Sequence, residues 1–227
     1  MWLRAPLRMK QRLVEMRCLC CNVGPQLIAF GAMFALAARE SGMLLRAAWR
    51  SASSAASAVG DFSALRVVPY PTGQALEASA AYAAGTELFR FTGKLRRENI
   101  GDRSLQVGRE AHLSCTGDEE EPWVFLNHSF NPTIHLSHAP VRTPDEPPPV
   151  LTATANVDLL PGAPLTIDYT LHEWEMFQGG FECAESGRQV NGFKHLLEKE
   201  KDAKLSRAAQ HVRSLHLQFL FGSESRC

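Results

Sequence analysis

The pattern of apolar and polar positions changes near residue 61. From Leu65 onward, short apolar runs alternate with Gly, Pro, Asn and Asp, which is typical of a sheet-rich domain with many tight turns. Alternation of apolar and polar residues is clear in Glu87–Phe91 and again in Leu165–Tyr169, as in half-buried strands. The pattern predicts strands at Leu65–Pro69, Glu87–Phe91, Ser104–Val107, Thr133–Ser137, Val150–Ala155 and Leu165–Tyr169.

Two later segments complete the prediction of the fold. Thr143 to Pro149 is acidic and rich in proline, so it predicts an exposed loop, because proline cannot donate a hydrogen bond within a central strand. Gly192 to Leu220 has apolar residues at helical spacing among Lys, Glu and Arg, which indicates an amphipathic helix, with breaks allowed. The predicted fold class is therefore mainly β (α+β), with a C-terminal amphipathic helix.

The first 60 residues have a different composition. They are rich in Arg, Ala and Ser and contain eight basic but only two acidic side chains. This composition is typical of an organelle transit peptide and predicts a plastid or mitochondrial protein whose leader is removed or disordered. A poorly ordered N-terminus on a nuclear or cytoplasmic protein is the alternative. The apolar stretch Leu27–Ala38 is shorter than the roughly 20 residues that cross a bilayer, so we expect no membrane span.

Charge and length restrict the class of partner. Residues 61–227 carry sixteen basic and twenty-two acidic side chains, a net charge of −6. An acidic body argues against nucleic acid as a direct ligand. It suits a basic peptide, although it is also an ordinary soluble surface. The length favours one main domain with an appended segment, and we expect a monomer.

The cysteines give no sign of a metal site or a disulfide framework. The six cysteines lie at positions 18, 20, 21, 115, 183 and 227, without the spacing of a zinc site or of a small secreted domain. We therefore expect a reducing compartment and no bound metal.

Two polar clusters stand out from the apolar pattern. Asn127, His128 and Ser129 directly follow an apolar run, and Pro132 ends the segment. Taken alone, such a triplet is more often a cap or a turn than a site. Some thirty residues later an apolar strand, a glycine turn and a second strand ending in Asp168 and Tyr169 follow. The order of the two clusters is more specific than either motif.

In this order the motifs resemble the SET-domain family of protein-lysine methyltransferases. Asn127 to Thr133 is similar to the family motif Asn-His-Ser-Cys-x-Pro-Asn, with Phe130 in place of cysteine and Thr133 in place of the last asparagine. Ala153 to Tyr169 is similar to a strand, a Gly-Glu-Glu-Leu turn and a strand ending in Asp-Tyr, with Ala163 and Pro164 in place of the glutamates. The resemblance covers about residues 65 to 195.

The resemblance implies a SET-type β-fold of small sheets with a knot-like crossing. It implies S-adenosylmethionine (S-adenosyl-L-methionine) as cofactor and the lysine side chain of a protein or peptide as substrate. The domains would be a leader at 1–60, a SET-like domain at 61–175, and a degenerate post-SET-like segment with the C-terminal helix at 176–227. The implied cofactor-binding residues are Asn127, His128, Gly73, Gln74 and Ala75, where Gly73, Gln74 and Ala75 replace a Gly-x-Gly loop.

Tyr169 would stand at the point of methyl transfer, and Trp174, Phe177 and Phe181 would line the substrate channel. Many relatives cover this channel with a zinc-binding tail of three cysteines, of which only Cys183 remains here. Because one cysteine cannot hold tetrahedral zinc, we expect the aromatic residues, including Phe193, to provide an apolar cover. These departures keep an alternative open, a non-catalytic SET-like module that binds a peptide or partner.

Overall fold

The computed structural model describes residues 58–70, 73–117 and 120–222. The predicted leader therefore lies almost entirely outside the described residues. The strands are β1 Leu65–Tyr70, β2 Gly73–Ala78, β3 Glu87–Phe91, β4 Lys94–Arg96, β5 Ser104–Gly108, β6 Ala111–Ser114, β7 Asn127–His128, β8 Ile134–Ser137, β9 Leu151–Ala155, β10 Thr166–Ile167, β11 Phe181–Glu182 and β12 Gln189–Val190. The α-helices are α1 Glu198–Leu205 and α2 Gln210–Gly222. The described chain is mainly β, as the sequence predicts.

The strands form small sheets rather than one continuous sheet. Two sheets have three antiparallel strands each, in the orders β3-β9-β8 and β4-β6-β5. Two antiparallel hairpins, β1-β2 and β11-β12, flank them, and β7 pairs with β10 in parallel. None of the helices in the described ranges is long and apolar enough to cross a membrane.

The main core lies between the three-stranded sheets. In β6 all four residues are buried, and Leu113 is opposite both Leu95 of β4 and Leu105 of β5. From the other sheet, Phe89 and Phe91 of β3 are fully buried, and the ring of Phe91 stacks on Trp123 with centroids 4.9 Å apart. Burial of such large apolar side chains is the dominant stabilising contribution.

A second apolar cluster attaches the C-terminal helices. Phe193 and Val212 are fully buried in it, and Leu171 and Trp174 pack beside them. The backbone N–H of Ala209 donates to the Leu171 carbonyl at 2.8 Å. The C-terminal helices are therefore fixed to the short 3-10 turn Tyr169–Leu171.

Five of the six predicted strands match the structure to within one residue. β3 has the predicted bounds, and β1, β5, β8 and β9 differ from prediction by one residue at one end. The predicted strand Leu165–Tyr169 is too long at both ends: β10 spans only Thr166–Ile167, and Asp168 caps a 3-10 turn that begins at Tyr169.

The helix prediction also needs correction. Gly192–Leu220 is not one helix: residues Phe193–His195 form a 3-10 turn, and α1 and α2 are separate. The segment Thr143–Pro149 has no strand or helix, in agreement with the predicted loop. The pattern did not predict β2, β4, β6, β7, β11 and β12.

Substitution of one central leucine should test the core assignment. Leu113→Ala should lower the free energy of unfolding by about 2–5 kcal/mol, because Leu113 is fully buried and its loss leaves a cavity. Leu160→Ala is the matched control: this leucine is 56% exposed, so its loss should cost less than about 0.5 kcal/mol. Urea unfolding followed by circular dichroism measures both. Equal effects would contradict the assignment of β6 to the core.

Candidate functional site

The site begins with the parallel pairing of β7 and β10. Asn127 is opposite Thr166, and His128 is opposite Ile167. The Ser129 N–H extends the pairing by donating to the Ile167 carbonyl at 3.0 Å. The structure therefore brings the Asn-His-Ser segment next to the Asp-Tyr segment.

Asp168 fixes the chain directly after β10. Its Oδ1 accepts hydrogen bonds from the backbone N–H of Thr170 at 3.1 Å and from the Thr170 hydroxyl at 2.6 Å. Its Oδ2 forms an ion pair with Lys204 of α1, although Asp168 is only 4% exposed. This capping bends the chain into the 3-10 turn and sets the direction of Tyr169.

Tyr169 is held at both ends. Its backbone N–H donates to His128 Nδ1 at 3.1 Å, and its hydroxyl donates to the Leu126 carbonyl at 2.5 Å. The Tyr169 ring also contacts the rings of His128 and Phe181 edge to face, with centroids 5.3 and 5.8 Å away. The position of the phenol is therefore defined before any ligand binds.

His128 acts as a neutral packing and orienting residue. Burial lowers the pKa of His128 to about 4, so the imidazole is uncharged at neutral pH. Because Nδ1 accepts from Tyr169, the proton lies on Nε2, which is buried without a hydrogen-bond partner among the described residues. Phe130 packs on the ring at 4.6 Å.

The segment expected to bind the cofactor is the end of the first hairpin. Gly73, Gln74 and Ala75 belong to β2 rather than to a loop. Asn127 Nδ2 donates to the Gln74 carbonyl at 3.2 Å, so the structure brings Asn127 and Gln74 together. Gly73 has a positive φ of 138°, and among the described residues a Cβ there would meet no atom beyond its chain neighbours within 4 Å. No described segment therefore covers Gly73.

A cavity of about 220 Å³ lies on the other side of Tyr169. Tyr169, Phe177 and Phe181 line it, together with the rings of Phe91 and Trp123. Phe177 and Phe181 are partly exposed, so they stand at its surface. Tyr169 and two of the expected channel residues, Phe177 and Phe181, therefore line the same cavity.

Trp174 does not line this cavity. It packs on Phe193, with ring centroids 6.2 Å apart, and on Phe219 of α2 at 6.0 Å. Trp174 and Phe193 therefore attach the C-terminal helices, whereas Phe177 and Phe181 provide the partly exposed aromatic wall.

The sequence reasoning missed Glu173, which also lines the cavity. Glu173 is 5% exposed, and its Oε1 accepts from the Gln106 N–H at 2.8 Å. The side-chain oxygen of Gln106 in turn accepts from the Trp174 N–H at 2.8 Å. Burial raises the pKa of Glu173 to about 7, and the Gln106 hydrogen bond opposes that shift. The one indication in the sequence was that Glu173 follows Tyr169 by only four residues.

The β11-β12 hairpin packs beside the site. Ser129 donates to Glu185 Oε2 at 2.6 Å, and the Arg188 guanidinium lies 4.1 Å from the centre of the Phe130 ring. Cys183 in the same hairpin is buried. Within the described residues, no group of three or more His, Cys, Asp or Glu side chains could hold a metal ion.

Comparison with known proteins gives a similarity in structure only. No family model and no curated protein matches the sequence. Among solved structures, the chain is similar to a candidate histone methyltransferase from Plasmodium falciparum, with a TM-score of 0.36 and 14% identity over 46% of this chain and 91% of that one. A TM-score this low assigns neither fold nor function, so the site is interpreted from its own residues.

The shifted pKa of Glu173 predicts a pH-dependent effect of Glu173→Gln. The folded protein favours the protonated carboxyl, so this stabilisation is present below the ordinary pKa of 4.5 and is lost as pH rises through about 7. Glutamine does not ionise. Relative to the wild type, Glu173→Gln should therefore gain on the order of 2 kcal/mol in unfolding free energy between pH 5 and pH 8.

Urea unfolding at the two pH values measures this difference. Glu110→Gln is the matched control, since Glu110 is exposed and does not line the cavity. Because its side chain is exposed, this variant should differ from the wild type by less than about 0.5 kcal/mol at both pH values. A constant difference for Glu173→Gln would show that this carboxyl does not titrate in a buried environment.

Proposed function

We propose that this protein transfers a methyl group from S-adenosylmethionine to the side-chain amine of a lysine in a protein substrate. One observation carries the proposal: Tyr169 is fixed by His128 and Leu126 and also forms a wall of an aromatic cavity. This is the arrangement that the SET-like motifs imply for the point of transfer.

The cofactor would lie against the Asn127 side of Tyr169. The Asn127 amide and the backbone at Gly73 and Gln74 are the groups that would hold its polar parts. When bound, the cofactor supplies an electrophilic methyl group on a positively charged sulfur. The fit is supported by the space beside Gly73, where a Cβ would meet no neighbouring segment of the described chain within 4 Å.

The acceptor lysine would enter the cavity past Phe177 and Phe181. Its apolar stem suits the aromatic walls, to which the buried rings of Phe91 and Trp123 also contribute. Methyl transfer needs donor and acceptor held in line at about 3–3.5 Å. A rigid cavity wall at Tyr169 provides that alignment.

The Tyr169 hydroxyl has a defined role in this proposal. Because its hydrogen is donated to the Leu126 carbonyl, the phenolic oxygen presents lone pairs rather than a proton to its surroundings. Those lone pairs can orient the acceptor amine and stabilise the positive charge on the transferring methyl group.

The departures from the family motifs are compatible with this arrangement. Phe130, which replaces cysteine, packs on His128 and lies under the side chains of Arg188 and Lys204. Phe177 and Phe181, which line the cavity, would provide the cover that a zinc-bound tail gives in relatives. Packing of aromatic side chains supports the same geometry by other means.

Asn127→Ala should weaken binding of S-adenosylmethionine by roughly tenfold or more, because it removes a hydrogen-bonding amide and releases the Gln74 carbonyl. Asn131→Ala is the control, since Asn131 is exposed four residues further along the chain. Isothermal titration calorimetry with the full chain measures both. Absence of binding by the wild type, or equal affinity in the two variants, would contradict the cofactor site.

Tyr169→Phe should keep cofactor affinity but reduce methyl transfer by about 10²-fold, because it removes the oriented hydroxyl. Tyr70→Phe, at an exposed tyrosine in β1, should leave the rate unchanged. Incorporation of radiolabelled methyl groups into histones and cell-extract proteins is the assay. Unchanged transfer in Tyr169→Phe would remove this role, and cofactor binding without any transfer by the wild type would indicate a binding module.

A further inference from the structure

The cavity beside Tyr169 combines aromatic walls with one buried carboxyl group. Rings of Phe91, Trp123, Tyr169, Phe177 and Phe181 line it. Glu173 lies among them, and the Gln106 N–H holds its Oε1 at 2.8 Å. A carboxyl group is costly to place in such surroundings unless a partner compensates its charge.

No basic side chain in the described part of the protein lines the cavity with Glu173. Strand β5, which contacts Glu173 through Gln106, carries no titratable side chain. On the preceding 3-10 turn the titratable group is Tyr169, which donates to Leu126. The charge of Glu173 is thus not compensated from these elements.

The neighbouring charged groups also have other partners or are neutral. Burial lowers the pKa of His172 well below its usual range, and it lowers the pKa of His211 on α2 to about 4. Lys194 and His195, which follow the Phe193 contact with Glu173, pair with Glu175. None of these groups supplies a positive charge to Glu173, so a cationic ligand could pair with its carboxylate.

We infer that Glu173 is the residue that makes this cavity prefer a positively charged alkylammonium group to an uncharged group of the same shape. The inference rests on the proposed function for the identity of the acceptor, a lysine side chain.

The chemistry of the walls favours this class of cation. Aromatic faces attract ammonium groups, and methylated ammonium needs few hydrogen-bond acceptors. A guanidinium would present five N–H donors, whereas the lining offers few polar side chains, Asn99, Ser104, Tyr169 and Glu173. An alkylammonium group therefore fits better than the side chain of arginine.

Two small probe molecules of the same shape, one charged and one neutral, measure how much positive charge contributes to binding. Choline carries a trimethylammonium group, and 3,3-dimethylbutan-1-ol is its uncharged counterpart of the same shape. At pH 8 the full chain, without cofactor, should bind choline about tenfold more tightly or better than the alcohol. Because the pKa of Glu173 is about 7, choline should bind about tenfold more weakly at pH 6 than at pH 8. Chemical-shift titration by NMR measures both affinities.

Two variants and a control test the assignment. Glu173→Gln should remove the preference for choline and its pH dependence, and Phe177→Leu should weaken choline several-fold while changing the alcohol little. Phe177 is 46% exposed, so the second variant does not depend on the stability of the core. Glu110→Gln should behave as the wild type, and thermal unfolding checks that each variant is folded.

The outcomes separate the inference from the proposed function. No binding of either probe, equal binding of both, or a cation preference that survives in folded Glu173→Gln would overturn the inference. Any of these results together with methyl transfer by the wild type would leave the proposed function in place. Cation binding with the predicted dependence but without methyl transfer would support the inference and overturn the catalytic proposal.

Discussion

The parallel pairing of β7 with β10 is the constraint on which the site depends. Each strand contributes two residues, Asn127–His128 and Thr166–Ile167, so the pairing itself offers little to offset the entropy of joining distant segments. Neighbouring hydrogen bonds add stability to the pairing. The Thr133 hydroxyl donates to the Pro164 carbonyl at 2.8 Å, and the Thr166 N–H donates to that hydroxyl at 2.9 Å. Tyr169 reaches both His128 and the cavity only because this pairing holds.

Burial acts on the two ionisable side chains of the site in opposite directions. It lowers the pKa of His128 and raises that of Glu173, since in each case the charged form is the one that loses water. Both groups therefore tend toward neutrality in the same apolar region. The contrast with Asp168 is informative: that carboxylate is equally buried but has Lys204 and two Thr170 donors as partners. Asp168 therefore has its cation within the protein, whereas Glu173 leaves room for a cationic ligand.

The sequence predicted β3 well, because in Glu87–Phe91 the apolar residues are the buried ones and the polar residues are partly exposed. It did not predict β6, a strand of four residues in which the polar His112 and Ser114 are buried along with Ala111 and Leu113. It placed Asn127 and Gln74 in one site through a resemblance, and the structure brings them into contact. It could not predict that Phe181 lines the cavity and that Trp174 does not. Trp174 packs on Phe219 of α2, a residue far from it in sequence. The burial of Glu173 depends on β5 in the same way.

The ion pair between Asp168 and Lys204 joins a turn that is translated early to a helix that is translated late. All strands of the site precede α1 in the chain, so they leave the ribosome while the cation that compensates Asp168 is still to be made. Until Lys204 emerges, closure around Asp168 would bury a carboxylate without its cation, which is strongly unfavourable. Nascent chains that end before α1 should therefore hold the sheets but leave this turn open, and maturation of the site is coupled to translation of its last helices.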